Sequence, residues 1–149
     1  MSLQPFNDDY CMKKAYDEAC LALNEGEVPI GAVVVCDNQI IGKGHNQVEM
    51  MNDVTSHAEI IAVTAAANHL GSKYLDNCRL YVTLEPCAMC ATAISLAHIT
   101  KIIVGAKDPK RGFSKYSPKI FPARTKIQFG IMQDICNEIL IQFFKTKRS

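Results

Sequence analysis

No stretch of this chain comes near the roughly 20 consecutive apolar residues that span a bilayer, so a helical membrane anchor is not expected. The longest apolar run, Val28 to Cys36, is broken by Pro29 and Gly31. The basic-then-apolar pattern of a secretory signal is missing too. Asn7, Asp8 and Asp9 are polar or acidic, and Met1-Ser2-Leu3 reads as partly vector-derived. A cytoplasmic address is the expectation. There are no repeats and no low-complexity linkers. A disulfide framework is also improbable, because the cysteines are odd in number, seven, and most sit singly inside apolar stretches. Only Cys87 and Cys90 are close in sequence. In a reducing compartment such a pair is more often a metal site or a redox motif than a bridge.

What is present suits one compact domain, residues 1–149: 48% of the chain is hydrophobic, enough for a real core. The net charge of +1 hides a division. Residues 1–100 hold 5 Lys/Arg against 12 Asp/Glu, and residues 101–149 hold 11 against 3. A basic final third suggests a face for phosphates, although half of a chain need not form one face.

Periodicity lays out the elements. Met12, Tyr16, Ala19 and Leu23 recur at helical steps and Gly26 stands at a C-terminal cap, which predicts a helix over Asp9 to Gly26. Ile30 to Cys36 and Gln39 to Gly44 read as a hairpin about Asp37-Asn38, its first strand buried on both faces. Asn46 to Thr55 is expected as a loop. Ser56 to Leu70 reads as a second helix capped by Thr55 or Ser56, Arg79 to Leu84 as a strand, and Pro86 to Ala97 as a third helix with proline in its first turn. Lys101 to Ala106 and Lys126 to Phe129 are further strands. Residues 107–124 form a long basic loop with a short helical piece, and Ile131, Ile135, Ile139, Leu140 and Phe143 line one face of a closing helix. The alternation of types implies an α/β class, a central mixed sheet covered by helices on both faces. The strand order is not set by the sequence order.

The chemistry is carried by His57-Ala58-Glu59 opening one helix and Pro86-Cys87-Ala88-Met89-Cys90 opening the next. At about 100° per residue, Cys87 and Cys90 lie roughly 60° apart around a helix, so both sulfurs can face one metal. Two helix N-termini aimed at one spot favour thiolate over thiol. Two thiolates and one imidazole suit Zn2+, and three protein ligands leave a fourth tetrahedral position for water, the arrangement of a catalytic site. Zinc brings that water's pKa to about 7. Glu59 then has a task as proton carrier, from water to the ring nitrogen and on to the departing amine. A closed site completed by His45 or Cys78, and a buried thiol pair with no metal, also fit the spacing. Neither gives Glu59 a role.

The H-x-E…P-C-x-x-C pattern matches the signature of zinc nucleobase deaminases. The segments Val28-Pro29-Ile30-Gly31-Ala32-Val33, Gly44-His45-Asn46, Asp53 to Ile60, Leu80 to Cys90, Gly105-Ala106-Lys107-Asp108 and Phe143-Phe144-Lys145 extend the likeness over nearly the whole chain, which resembles the bacterial tRNA-specific adenosine deaminases. The resemblance implies deamination of adenosine to inosine at the wobble position of a tRNA anticodon loop. It also implies a homodimer and a three-layer α/β/α cytidine-deaminase-like fold with a five-stranded mixed sheet. It assigns Asn46 to the purine's imidazole edge, the Ala58 main-chain amide to the substrate ring, and Asp108 to the ribose. Lys110 and Arg111 meet phosphates, and Phe144 borders the nucleotide channel.

Each assignment has an ordinary counterpart: Asn46 and Asp108 as turn residues, Lys110 and Arg111 as a solvated loop, Phe144 as a dimer contact. The chain departs from the family pattern at Ser56, Thr92, His98 and Phe121. Two other functions share some of these features. A deaminase of free guanine, cytosine or a small nucleoside has the same metal centre without the basic channel, and a zinc-stabilised RNA-binding module has no catalysis at all.

Overall fold

The computed structural model describes residues 7–148, with the side chain of residue 148 excepted. The Met1-Ser2-Leu3 opening lies outside the described residues. Helix α1 (Asp8–Asn24) starts where the Asn7 side chain accepts from the Tyr10 amide at 2.8 Å, with Asp8 and Asp9 at the positive end of the dipole. Its buried face is Cys11, Met12, Ala15, Ala19 and Ala22, at the helical spacing the sequence shows.

Strands β1 (Gly31–Cys36) and β2 (Gln39–His45) pair antiparallel. Asp37 and Asn38 both adopt positive φ, 51° and 57°, the two-residue hairpin turn whose twist matches the strands. Strand β3 (Cys78–Leu84) pairs antiparallel with β1, and β4 (Lys101–Ala106) and β5 (Lys126–Phe129) add in parallel, giving the order β2-β1-β3-β4-β5.

Helices α3 (Ala58–Leu70) and α4 (Ala88–Leu96) cover one face. Ala58, Ala62, Ala66 and Ile94 pack there on Ala32, Val34, Leu80, Val82, Ile102 and Val104. On the other face α1 sets Cys11, Met12 and Ala15 against Val33, Val35, Tyr81 and Ile103, and α6 (Gln133–Arg148) adds Ile139 and Leu140 beside Ala19. Fully burying each large aliphatic side chain contributes about 1.5–3 kcal/mol. The three-layer α/β/α arrangement and the five-stranded mixed sheet are as the sequence implied. Among the described residues no helix is long and apolar enough to cross a membrane.

The topology puts the chemistry at one end. Because β1 runs antiparallel to both β2 and β3, the latter two run the same way, and so does β4. The segments leaving β2, β3 and β4, and the one entering β1, therefore meet at a single edge of the sheet, where ligands bind in open α/β sheets. Helix α3 is seated very close to β2: a Cβ at Gly44 would stand 2.7 Å from the Ala62 amide nitrogen, and one at Gly42 2.8 Å from that of Ala66. Glycine on the strand and alanine on the helix fix where α3 begins.

Several expectations need correction. The stretch 46–55 is not wholly loop, since it holds α2 (Val48–Met51). Its amides Glu49 and Met50 donate to the Glu27 carboxylate at 3.0 and 2.7 Å, a cap supplied from 22 and 23 residues away and so invisible locally. The cap of α3 is His57, not Thr55 or Ser56. Asp53 occupies both: its Oδ1 accepts from the Thr55 amide (2.8 Å) and hydroxyl (2.7 Å), and its Oδ2 from the Ser56 hydroxyl (3.0 Å). Pro86 precedes the N-cap of α4, Cys87, and is not in the first turn. On α6 the buried positions are Cys136, Ile139, Leu140 and Phe143, while Ile135 faces solvent and Ile131 packs on the α1 side ahead of the helix. The long loop contains the expected short helix, α5 (Phe113–Tyr116).

Candidate metal centre and active site

His57 and Cys87 are the N-caps of α3 and α4, and Cys90 lies one turn into α4, so three donors converge between two helix N-termini. His57 Nδ1 is 3.6 Å from Cys87 Sγ and 3.5 Å from Cys90 Sγ, and all three atoms lie within 4.8 Å of one another. A tetrahedral ion with bonds of about 2.3 Å to sulfur and 2.0–2.1 Å to nitrogen holds its N and S ligands about 3.5 Å apart. The donor set therefore fits a metal without rearrangement.

The three donors shift one another strongly. Hydrogen bonds from the Cys90 thiol, and then from His57, draw the Cys87 thiol down to about 4 against burial. His57 is raised, first by its bond to Cys87. Cys90 is pushed up, first by the Cys87 thiolate beside it and then by burial.

Glu59, in the first turn of α3, is 4% exposed. Burial pushes its carboxyl up to about 7, with the Cys87 thiolate adding to the rise and its own backbone amide and His57 opposing it. Glu59 is not among the three clustered ligands, as a proton carrier should not be. The two four-ligand alternatives do not assemble. His45 turns Nδ1 to Glu18 (3.4 Å) and Nε2 to Glu25 (3.1 Å), and Cys78 sits at the opposite end of β3, opposite Cys36.

The other sequence-derived residues divide. Ala58 is fully buried at the start of α3, between His57 and Glu59. Asn46 is buried, with Nδ2 donating to the Val28 carbonyl and Oδ1 accepting from the Val48 amide, both at 3.4 Å, long for hydrogen bonds. Asp108 starts a turn: its Oδ1 accepts the amides of Lys110 and Arg111, both at 3.1 Å, and both of those residues are exposed.

Phe144 is 45% exposed and set edge-on to buried Phe143, with ring centroids 5.3 Å apart. It lines a depression of about 260 Å³ with Asn137, Leu140, Ile141 and Lys145. A larger one of about 630 Å³ begins at Gly130 and Met132. Neither depression includes a residue of the metal cluster.

The departures from the family pattern have local explanations. Ser56 bonds Asp53 as described, and Thr92 Oγ1 donates to the Ala88 carbonyl at 2.8 Å. His98, at φ 68°, stacks on Tyr74 at 4.2 Å. Phe121 packs edge-on to Phe113 at 5.1 Å and against the α3/α4 core, so it supports the loop from inside.

Sequence reasoning passed over two residues, Glu27 and Glu85. Both are buried carboxylates that accept backbone amides from the loops around the site. The signal for Glu85 was a charge at the end of an apolar strand.

Comparison with known proteins follows the same lines. The MafB19-like deaminase family matches residues 6–148. A tRNA-specific adenosine deaminase of Aquifex aeolicus is 41% identical over 146 residues, 95% of this chain and 96% of that protein. A solved structure from a study of A-to-I editing by tRNA:A34 deaminases at the wobble position of transfer RNA is 41% identical. It superposes with a TM-score of 0.82 over 88% of this chain and 99% of the other. A guanine deaminase of Bacillus subtilis is 32% identical, with a TM-score of 0.68 over 97% and 96% of the two chains. The five-stranded sheet flanked by helices is the cytidine-deaminase-like fold. The chain belongs to the MafB19-like deaminase family and, within it, groups with the tRNA-specific adenosine deaminases.

Proposed function

We propose that this chain is a zinc-dependent hydrolytic deaminase, one catalytic unit over 1–149, that converts adenosine to inosine at the wobble position of a tRNA anticodon in the cytoplasm. The observation that carries the reading is the convergence of His57, Cys87 and Cys90 beside a buried glutamate that is not a ligand. His57, Cys87 and Cys90 would hold the zinc, which when bound would supply a water acidified to about neutrality. Glu59 accepts a proton from water as its oxygen attacks C6 of the purine and donates that proton to N1. It then takes the second proton from the hydroxyl now on C6 and passes it to the exocyclic nitrogen, which leaves as ammonia as the C6–N bond breaks and the C6 carbonyl forms. A carboxyl near pH 7 is matched to taking up and giving back one proton. The Ala58 amide, one of the unpaired donors of a first helical turn, holds the ring, and Asn46 meets its imidazole edge.

The RNA side of the reading rests on the basic final third and on the exposed Lys110 and Arg111, held by the Asp108 turn at the active end of the sheet. Asp108 accepts from the ribose 2′-hydroxyl, and Phe144 borders the nucleotide channel. Each phosphate contact on a single strand steepens the slope of log affinity against log salt by roughly 0.7. Binding of an anticodon stem-loop should therefore weaken with salt. Changing both Lys110 and Arg111 to Ala should flatten the slope by about 1.4 and leave metal content unchanged. Binding of equal strength at low and high salt would remove the phosphate contacts from the reading.

The reading includes a homodimer. Leu96, at the C-terminal end of α4, is 70% exposed, and Met50, Met51 and Val54 beyond β2 also face solvent, apolar surface that a twofold mate would cover. Light scattering at micromolar concentration should give twice the chain mass; a fully active monomer would remove the dimer from the account.

A further inference from the structure

Two buried carboxylates take no part in the chemistry above. Glu27 is 2% exposed and Glu85 4%. Burying a carboxylate is costly unless its oxygens are paired, and each of these four oxygens accepts one backbone amide. Glu27 takes Glu49 (3.0 Å) and Met50 (2.7 Å). Glu85 takes Asp108 (3.1 Å) and Ser114 (3.0 Å). The two loops so held, 46–51 and 108–114, carry Asn46, Asp108, Lys110 and Arg111.

Each loop is also stitched to the backbone beside a metal ligand. The Gln47 amide donates to the carbonyl of Ser56, next to His57, at 3.0 Å. The Phe113 amide donates to Pro86 at 2.9 Å, and Gly112 bridges to Cys87 itself. The fit around Glu85 admits no side chain: a Cβ at Gly112 would overlap the Glu85 carboxyl and stand 2.6 Å from the Asp108 carbonyl.

We propose that Glu27 and Glu85 are a matched pair of positioning residues, each fixing one substrate-binding loop at a set distance from one metal ligand. The inference rests on the reading of those loops as substrate-facing. Neither glutamate touches the reacting atoms. Their effect is to hold Asn46 on one side and the Asp108 turn on the other at the spacing a splayed-out nucleotide requires, so that its ordering cost is met before it binds.

The test uses Glu85→Gln and Glu27→Gln in the zinc-loaded protein. Each keeps the volume but turns an N–H2 toward a backbone donor. KM for an anticodon stem-loop should rise about tenfold, equivalent to about 1.4 kcal/mol, while kcat stays within a factor of about three and one metal per chain is kept. Gly112→Ala, which displaces the Glu85 carboxyl from the other side, should reproduce the Glu85→Gln result. Unchanged KM in folded variants overturns the proposal, as does a fall in kcat and metal content at constant KM, the mark of a merely structural role. Hydrogen exchange in the unaltered protein decides the matter if a variant does not fold: the Glu49, Met50, Asp108 and Ser114 amides should be among the slowest of their loops, and rapid exchange at all four overturns the clamp. An unaltered protein inactive on the stem-loop sinks the substrate reading instead and leaves the exchange result standing.

Discussion

Changing Glu59 to Ala is expected to lower turnover by at least about a thousandfold while leaving one zinc bound per chain, since positioned proton transfer contributes roughly 10²–10⁴ and here one residue serves both water and base. The separation of effects follows from the geometry. Glu59 is buried against the cluster yet is not one of the three ligands, so its loss leaves the imidazole and both sulfurs in place. Glu59→Gln should be almost as inactive, having the shape without the proton. Elemental analysis beside a single-turnover assay reads both quantities, and an alanine variant with near-full activity would remove the proton-carrier role.

The cysteines should behave in the opposite way. Cys90→Ala, or Cys87→Ala, deletes one of three ligands, and zinc should fall well below one per chain with activity lost alongside it. A ligand present at 100 to 1,000 times its Kd stabilises the folded state by about 2.7–4.1 kcal/mol. At about 2–4 °C per kcal/mol for a chain of this size, loss of the metal should lower Tm by about 10 °C. Chelation of the unaltered protein should do the same and uncover the reactivity of Cys87. With that thiol drawn down to about 4, its thiolate predominates at every pH above this value, so iodoacetamide should alkylate it near pH 6. Burial pushes Cys78 up to about 12 and Cys136 to about 11, so both remain protonated there and should not react. An unchanged Tm after complete metal removal would show that the cluster does not hold the two helices together.

How far all this can be read from the sequence depends on whether the cause is local. Strands β4 and β5 begin and end at the residues their sequence pattern predicts, and α1 ends just short of Gly26, because the signals for those boundaries are local. That His57, Cys87 and Cys90 come together was legible for a related reason: Cys87 and Cys90 are one turn apart, and His57 stands at the start of the other helix. Helix α2 was not, because its cap is Glu27, which is remote in sequence. The α3 cap was misplaced for a similar reason, Asp53 having claimed Thr55 and Ser56. Strand order came only with the coordinates, and with it the reason that the segments after β2, β3 and β4 share one edge. Glu85 is the sharpest case, since nothing near it in sequence announces the amides of Asp108 and Ser114 that it binds.

The assignment of Asp108 and Asn46 to substrate has to be weighed against what those side chains already do. Asp108 Oδ1 is committed to two amides in the turn, and the Asn46 carboxamide bonds at 3.4 Å on both sides. Bonds that long exchange at little cost, which is what the proposed contact of Asn46 with a purine needs; for Asp108 the proposed contact with a hydroxyl falls to its second oxygen, since the first holds the loop.

The central claim is hydrolysis of an exocyclic amine on an RNA base, and its most direct test is product analysis in isotopically labelled water. The zinc-loaded protein, incubated with an anticodon stem-loop bearing adenosine at the wobble position, should yield inosine at that position alone, with one heavy oxygen at C6 and one ammonia released per inosine formed. A stem-loop recovered unchanged at low salt, while free guanine or cytosine is deaminated efficiently under the same conditions, would contradict it.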